Sequence, residues 1–115
     1  MSVDEVLNTA LSHAAPVPAY PNTYTGPLLE YLTWNYTEIP EVYAEKIPRA
    51  ARYLIQVHYF LPHKKDPNPM KHLLRFALFN AKCTWPSITN ASDKEGQHYV
   101  FECEYADGGG YYGNS

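Results

Sequence analysis

Two histidines and two glutamates are the side chains of this 115-residue sequence best suited to chemistry. His58 lies in one strand-like segment, and His98, Glu102 and Glu104 alternate along another. If the two segments are neighbouring strands, the four side chains can share one face of a sheet and hold a divalent metal ion. The alternative is the hydrated or subunit-facing surface of a sheet. The sequence contains no HExxH motif and no helical H-x-x-x-H spacing. We favour the alternative because the metal site depends on a strand pairing that the sequence does not establish.

The remaining candidates for catalysis do not complete an active site. Cys83 closes the second predicted helix and Cys103 points to the apolar face of a strand, where a buried thiol is usually inert. No serine occupies a GxSxG elbow. The glycines after Asp107 are followed by neither a helix nor the lysine of a phosphate-binding loop. We therefore expect a protein without catalytic residues, cofactor or metal.

The composition favours one globular domain. Hydrophobic residues make up 45% of the chain and charged residues 18%, a balance that argues against disorder, and eleven residues are tyrosines, a type enriched in interface cores. No run approaches the roughly 18–20 apolar residues of a membrane span, and the acidic N-terminus does not resemble a secretory signal. We expect an intracellular protein with one domain over 1–107 and a flexible Gly/Tyr-rich tail over 108–115.

Charge is segregated along the chain. Residues 1–47 hold six acidic residues and one Lys, residues 48–82 hold seven basic residues and one Asp, and residues 83–115 hold five acidic residues and one Lys. If these segments lie on different faces, the basic face of one copy could meet the acidic face of another and, repeated by rotation, close a ring. The alternative is that each set of charges is simply solvated.

The basic segment contains a line of cations on the second predicted helix, formed by Lys71, Arg75 and Lys82. Such a line could contact phosphates. No set of base-reading residues accompanies it, and both flanks of the chain are acidic. We therefore expect no specific nucleic-acid binding.

Hydrophobic periodicity and breaker residues predict an α+β fold, in which two helices pack on a mostly antiparallel sheet of about four strands. The segment 50–61 is apolar on both faces and is predicted to be a central strand. The predicted elements are a helix over 3–13, an extended connector over 14–27, a strand over 28–37, a loop up to Pro48 with room for one helical turn, a strand over 50–61, a helix over 69–83 and a hairpin over 87–105.

Local signals define the helix ends and faces. Ser2 and Glu5 form a capping box for the first helix. Asn68 is predicted to cap the second helix, with Pro69 at its first position. In the strand over 28–37, the face with Glu30 is predicted to carry Leu28, Leu32, Trp34 and Tyr36. The predicted buried stripe of the second helix comprises Met70, Leu73, Leu74, Ala77, Leu78 and Ala81, widened by Phe76.

The order of elements and two local segments suggest a family. The segments VHYFLPHKKDPNPMKHLLRFALFNAKCTWPS and NASDKEGQHYVFECEYADGG resemble the tail terminator, or tail-completion, proteins of long-tailed phages and prophages. The resemblance spans about residues 3–107. It implies a small α+β domain that assembles as a ring, usually a hexamer, on the end of the tail tube. Such a ring stops polymerisation of the tube and offers a surface to the neck.

The resemblance also implies the partners, which are other copies of the chain, the major tail tube protein and a neck or head-completion protein. The location would be the virion tail, and the host bacterial cytoplasm during assembly. No cofactor and no catalysis are implied. Two alternatives stay open, namely another head–tail joining or neck protein, and a small metal- or nucleotide-binding domain that uses His58, His98 and Glu102.

The sequence also predicts a subunit interface. Its basic side would comprise Lys71, Arg75 and Lys82, with Arg49 or Arg52. The tail over 108–115 is a candidate to become ordered on the tube or neck. The acidic side, on a neighbouring copy, would be drawn from Glu38, Glu41, Glu45, Glu102 and Glu104.

Overall fold

The structure, a computed structural model, describes residues 2–14, 17–42 and 48–107, without the side chains of 13, 14, 40–42, 48–51 and 107. The predicted tail over 108–115 therefore lies outside the described residues. In chain order the elements are α1 (Val3–Ala14), β1 (Ala19–Pro21), β2 (Tyr31–Val42), β3 (Pro48–Leu61), α2 (Asn68–Asn80), β4 (Ser87–Asn90) and β5 (Gln97–Asp107).

One sheet contains all five described strands, in the order β1-β2-β3-β5-β4. Three neighbouring pairs are antiparallel, and β1 runs parallel to β2 at the edge. The α+β fold is confirmed, as is the central position of β3. The fifth strand, β1, lies within the predicted connector. It has only three residues, and an edge position suits a segment rich in proline.

Both helices cover the same face of the sheet, and the core fills the space between. Its fully buried side chains come from every layer, so that Leu7 of α1, Leu74 of α2 and Phe101 of β5 all have 0% exposure. Each such side chain stabilises the fold by about 1.5–3 kcal/mol through removal of apolar surface from water. No helix in the described part of the chain is long and apolar enough to cross a membrane.

The capping box of α1 forms as predicted. The Glu5 N–H donates to Ser2 Oγ at 3.2 Å, and the Ser2 N–H donates to Glu5 Oε1 at 2.9 Å. This hydrogen bond with the Ser2 backbone lowers the pKa of the exposed Glu5 carboxyl. The box therefore satisfies two backbone donors that the first turn would otherwise leave without partners.

Both ends of α2 differ from the prediction. Pro67, not Asn68, occupies the capping position, and the Asn68 N–H donates to Asp66 Oδ1 at 3.0 Å. Asp66 therefore supplies the acceptor expected of a cap. The helix ends at Asn80 rather than at residue 83, and Lys82 takes a left-handed conformation with φ of 77°. This is a common way for a helix to terminate.

The buried stripe of α2 is narrower than predicted. Met70, Leu74 and Leu78 are buried, whereas Leu73 and Phe76 are 48% and 53% exposed. The predicted stripe covered more of the helix circumference than one sheet and one neighbouring helix can enclose. Leu73 and Phe76 therefore face away from the core and are available at the surface.

Strands β2 and β3 extend into the segment predicted to be a loop. β2 begins at Tyr31, so Leu28 lies outside it and is 42% exposed, contrary to prediction. It continues through Pro40 to Val42, where the pairing with β3 shifts register. Proline is tolerated here because Pro40 lies beyond the stretch of β2 that pairs with β1, on an edge without a neighbour among the described strands.

The predicted hairpin forms from β4 and β5, with the first strand ending at Asn90. Tyr99, Phe101 and Cys103 face the core, as the alternation predicts. Gln97 anchors the chain that leads from β3 to α2, because its Nε2 donates to the carbonyl oxygens of Pro62, His63 and Lys65 at 2.8, 3.1 and 2.7 Å. One amide thus ties three carbonyls of this turn to the start of β5.

Candidate interaction surfaces

The face of the sheet opposite the helices carries the residues singled out for chemistry, and we call it the open face. Residues that pair directly across antiparallel strands point to the same side. The open face is therefore built from rows of paired residues. These rows are Tyr31, Phe60 and His98; Thr33, His58 and Val100; Asn35, Gln56 and Glu102; and Thr37, Leu54 and Glu104.

The two histidines predicted to be neighbours are in direct contact. His58 Nδ1 and His98 Nε2 are 2.8 Å apart, and His58 Nε2 lies 3.4 Å from Asn35 Nδ2. An amide nitrogen only donates, so His58 Nε2 accepts from Asn35. The neutral His58 ring then carries its proton on Nδ1 and donates it to His98 Nε2. The arrangement is a chain of hydrogen bonds from Asn35 through His58 to His98.

Both rings of this pair resist protonation. Burial lowers the pKa of His58, and the neighbouring His98 lowers it further. The negative charge of Glu102 raises it in part, without reversing the shift. Burial also lowers the pKa of His98, partly offset by Asp93. The pair is therefore held in its neutral, hydrogen-bonded form.

The two glutamates make contacts of their own rather than converging on the histidines. Gln56 Nε2 donates to Glu102 Oε2 at 3.0 Å, and Arg52 Nε lies 3.5 Å from Glu104 Oε1. Within the described residues, no group of three His, Cys, Asp or Glu side chains has a geometry that could hold a metal ion. The four side chains thus make separate polar contacts on the open face, with the histidines bonded to each other and each glutamate bound to a residue of β3.

The open face is concave where these glutamates lie. A hollow of about 480 Å³ opens there, and we call it the acidic hollow. Leu54, 38% exposed, gives the hollow an apolar element beside the carboxylates. The side chains that define it are Asn35, Leu54, Gln56, Glu102 and Glu104.

A row of aromatic rings crosses the other end of the open face. Tyr31 stacks on Phe60 at 4.8 Å between ring centroids, and Phe60 stacks on His98 at 4.2 Å. Tyr24 extends the row at 4.7 Å from Tyr31 and leads to Tyr20 at 4.4 Å. The rings pack against one another and stabilise this end of the sheet.

The second surface lies on the outer side of α2, and we call it the helix patch. Its members are apolar side chains that are about half exposed, namely Leu73, Phe76, Phe79 and Trp85 at 48%, 53%, 51% and 49%. Phe76 and Phe79 both contact the Trp85 ring edge-on, with centroids 5.3 and 5.5 Å away. A contiguous aromatic patch of this kind marks a site of interaction on a folded protein.

The basic residues of the predicted interface are divided between the two surfaces. The Arg75 guanidinium lies over the Trp85 ring at 5.9 Å, and exposed Lys82 follows the same helix. Lys71 instead lies over the Tyr99 ring at 4.0 Å. Arg52 belongs to the open face, where it pairs with Glu104.

Several predicted interface residues lie elsewhere or outside the description. Glu38 pairs with Tyr53 in the register of β2 and β3, so it lies on the helix side of the sheet. The side chains of Glu41 and Arg49, and all of Glu45, lie outside the described residues. The acidic residues on the described open face are therefore Glu102 and Glu104.

Both cysteines are free and buried on the helix side of the sheet. The hydrogen bond with Cys83 and burial raise the pKa of Cys103. The backbone around them is held by a reciprocal pair, in which Thr84 N–H donates to the Glu104 carbonyl and Glu104 N–H donates to Thr84 Oγ1, both at 2.9 Å. The hydrogen bond between the two thiols lowers the pKa of Cys83 against the effect of burial, while both thiols stay within the core at 4% and 6% exposure.

Sequence reasoning missed the helix patch. Its signal was present, because Leu73, Phe76 and Phe79 recur every three residues and Trp85 follows shortly after the helix. These positions were assigned to the core or left unassigned, since periodicity alone does not say how much of a helix is covered.

Comparison with known proteins gives no further guide, because neither a protein-family model nor a curated protein sequence matches this chain.

Proposed function

We propose that this protein is the ring-forming subunit of a phage tail terminator. One observation carries the proposal, namely that the chain has two unlike surfaces on opposite sides of its sheet. The helix patch is aromatic and has the Arg75 guanidinium over its Trp85 ring, and the acidic hollow carries Glu102 and Glu104.

Two unlike surfaces on one chain favour contacts between different faces of neighbouring copies. A contact of this type repeats from copy to copy and ends only when the rotation closes a ring. A chain with one self-complementary surface would stop at a dimer instead. The distribution of the patch and the hollow therefore supports a ring more directly than a simple pair.

The position of the ring in a virion follows from the resemblance of residues 3–107 to tail terminator proteins. In this function one side of the ring covers the last layer of the tail tube and stops its growth. The other side presents a surface to the neck. The protein acts by occupying and presenting surfaces, so its partners are its own copies, the tube protein and a neck protein.

The test has two measurements. The first is the solution mass of the purified chain, by light scattering at low and high salt, where we expect a particle of about six chains that dissociates as salt screens the charged contact. The second is the length of tubes that the tail tube protein of the same phage forms with and without this chain. We expect capped tubes of limited length. Tubes that grow equally long in its presence would contradict the proposed function.

A further inference from the structure

We propose that the helix patch of one copy docks into the acidic hollow of the next copy, with Arg75 facing Glu102. This inference rests on the proposed function, because the ring is the assembly that the contact would build. It differs from the interface predicted from the sequence in two ways. Aromatic side chains form its centre, and Arg52 belongs to the receiving surface.

The first argument is charge complementarity. Within the described residues Arg75 forms no ion pair, and the Glu102 carboxylate accepts a hydrogen bond from the neutral Gln56 amide and forms no ion pair. Each surface thus presents a charge without an opposite charge beside it. Docking would bring the two charges together and shield them from water. Charged contacts gain strength and specificity when water is excluded from them.

The second argument is shape and residue type. The helix patch projects from a helix, and the acidic hollow is a concavity of about 480 Å³ with exposed Leu54 in its wall. Trp, Tyr and Arg dominate the energetics of interfaces when they enter a concave surface near the centre of the contact. Trp85 is 49% exposed and the Arg75 guanidinium lies 5.9 Å from the centre of its ring, so two of these residue types lie side by side in the helix patch.

The third argument concerns the alternatives for each surface. A patch-to-patch contact would bring Arg75 of one copy towards Arg75 of another, and a hollow-to-hollow contact would do the same with Glu102. Facing like charges disfavour both arrangements. The contact between unlike surfaces is the one that places Arg75 against Glu102, a carboxylate without an ion-pair partner among the described residues.

Charge reversal tests the contact. Arg75→Glu and Glu102→Arg should each weaken self-association about tenfold or more, because either change places like charges in the interface. An equimolar mixture of the two variants should assemble again. In a ring that alternates the two variants, every contact pairs either the two altered residues or the two native residues, so opposite charges meet each time.

The matched controls are Lys94→Glu and Glu95→Arg, which reverse exposed charges in the turn between β4 and β5, away from both surfaces. These variants should assemble as the unaltered chain does, alone and mixed. Circular dichroism and the midpoint of urea unfolding establish that each variant is folded.

The outcomes separate the two proposals. If Arg75→Glu and Glu102→Arg assemble normally, or if their mixture stays monomeric, this docking is wrong. A native chain that remains monomeric at millimolar concentration in low salt would also overturn this docking. The helix patch would then be a binding surface for a different protein. Native rings that form through this contact but leave tube length unchanged would instead overturn the tail terminator function alone.

Discussion

His58 Nδ1 lies 2.8 Å from His98 Nε2, so that one hydrogen bond joins the two imidazole rings across β3 and β5. The bond needs one ring to donate and the other to accept. The nitrogens free to take up a proton, His58 Nε2 and His98 Nε2, both accept hydrogen bonds in this chain, so a proton added to either ring sets two N–H groups against each other. The pair is therefore a point at which acid weakens the open face.

Stability should fall as the pH is lowered below 6.5, the ordinary histidine pKa. Burial lowers the folded-state pKa of both His58 and His98, so the unfolded chain binds protons at a higher pH than the folded protein does. The free energy of unfolding then decreases as pH drops through this window, and it levels off below the folded-state values. Urea unfolding at a series of pH values measures this dependence.

A variant that lacks both imidazoles, His58→Asn with His98→Gln, provides the comparison. It removes the two groups responsible, so its stability should depend less on pH between 7.5 and 5. An unchanged pH dependence in this variant would show that other groups cause the effect.

Adjacent leucines on α2 should respond in opposite ways to truncation. Leu74 has 0% exposure and Leu73 has 48%. Leu74→Ala should therefore lower the free energy of unfolding by about 2–5 kcal/mol, because it leaves a cavity in the core. Leu73→Ala should lower it by less than about 1 kcal/mol. Equal losses in chemical denaturation would mean that the helix is rotated from the position described.

The turn after β3 should depend on the amide of Gln97. Gln97→Ala removes the donor to three carbonyls and should cost about 1–2 kcal/mol. Gln97→Glu should cost more, since a half-buried carboxylate oxygen would then face those carbonyl oxygens. Thermal unfolding of the two variants ranks them, and a glutamate variant more stable than the alanine variant would refute this account.

Lys82 offers a stabilising substitution. Its φ of 77° is costly for a residue with a Cβ, and it follows the end of α2 where glycine is favoured. Lys82→Gly should raise the free energy of unfolding by up to about 1 kcal/mol. Lys82→Ala removes the same charge but keeps the Cβ, so it should give no gain. A gain in both variants would assign the effect to charge instead.

The native thiols should react slowly with a water-soluble disulfide reagent. Cys83 and Cys103 are 4% and 6% exposed, and the pKa of Cys103 is raised by its hydrogen bond with Cys83 and by burial. Reaction therefore waits for opening of the fold. Each reacting thiol releases an absorbing group from the reagent. The absorbance should report rapid reaction of both thiols in urea and only slow reaction without it. Fast release from the folded chain would contradict the described packing.

The elements with strong periodic patterns were predictable. The pattern in 50–61 indicated a central strand with two apolar faces, and the alternation in 97–105 indicated a half-buried strand. The two strands are neighbours, which is the condition under which His58 and His98 could share a face. The capping box at Ser2 was also predictable, since it depends only on residues three apart. These features are determined by local sequence and by one choice of neighbouring strands.

The features that escaped prediction depend on tertiary context. β1 forms because the edge of β2 supplies partners to a segment that lacks strand propensity of its own. The extension of β2 beyond Glu38 was hidden by Pro40, which indicates a break unless the strand is known to lie at an edge. Phe76 was assigned to the core because an amphipathic pattern does not show where coverage ends.

Pro40 also has a consequence for the solubility of the chain. Beyond Trp34 the outer edge of β2 has no neighbour among the described strands, and an open edge of this kind can recruit strands from other molecules into aggregates. Proline lacks the N–H that an added strand would need, so it interrupts the ladder in the middle of the exposed stretch. Pro40, which concealed the end of β2 in the sequence, thus protects this strand from amyloid-like stacking. Copies of the chain can then associate through the surfaces formed by their side chains rather than through strand edges.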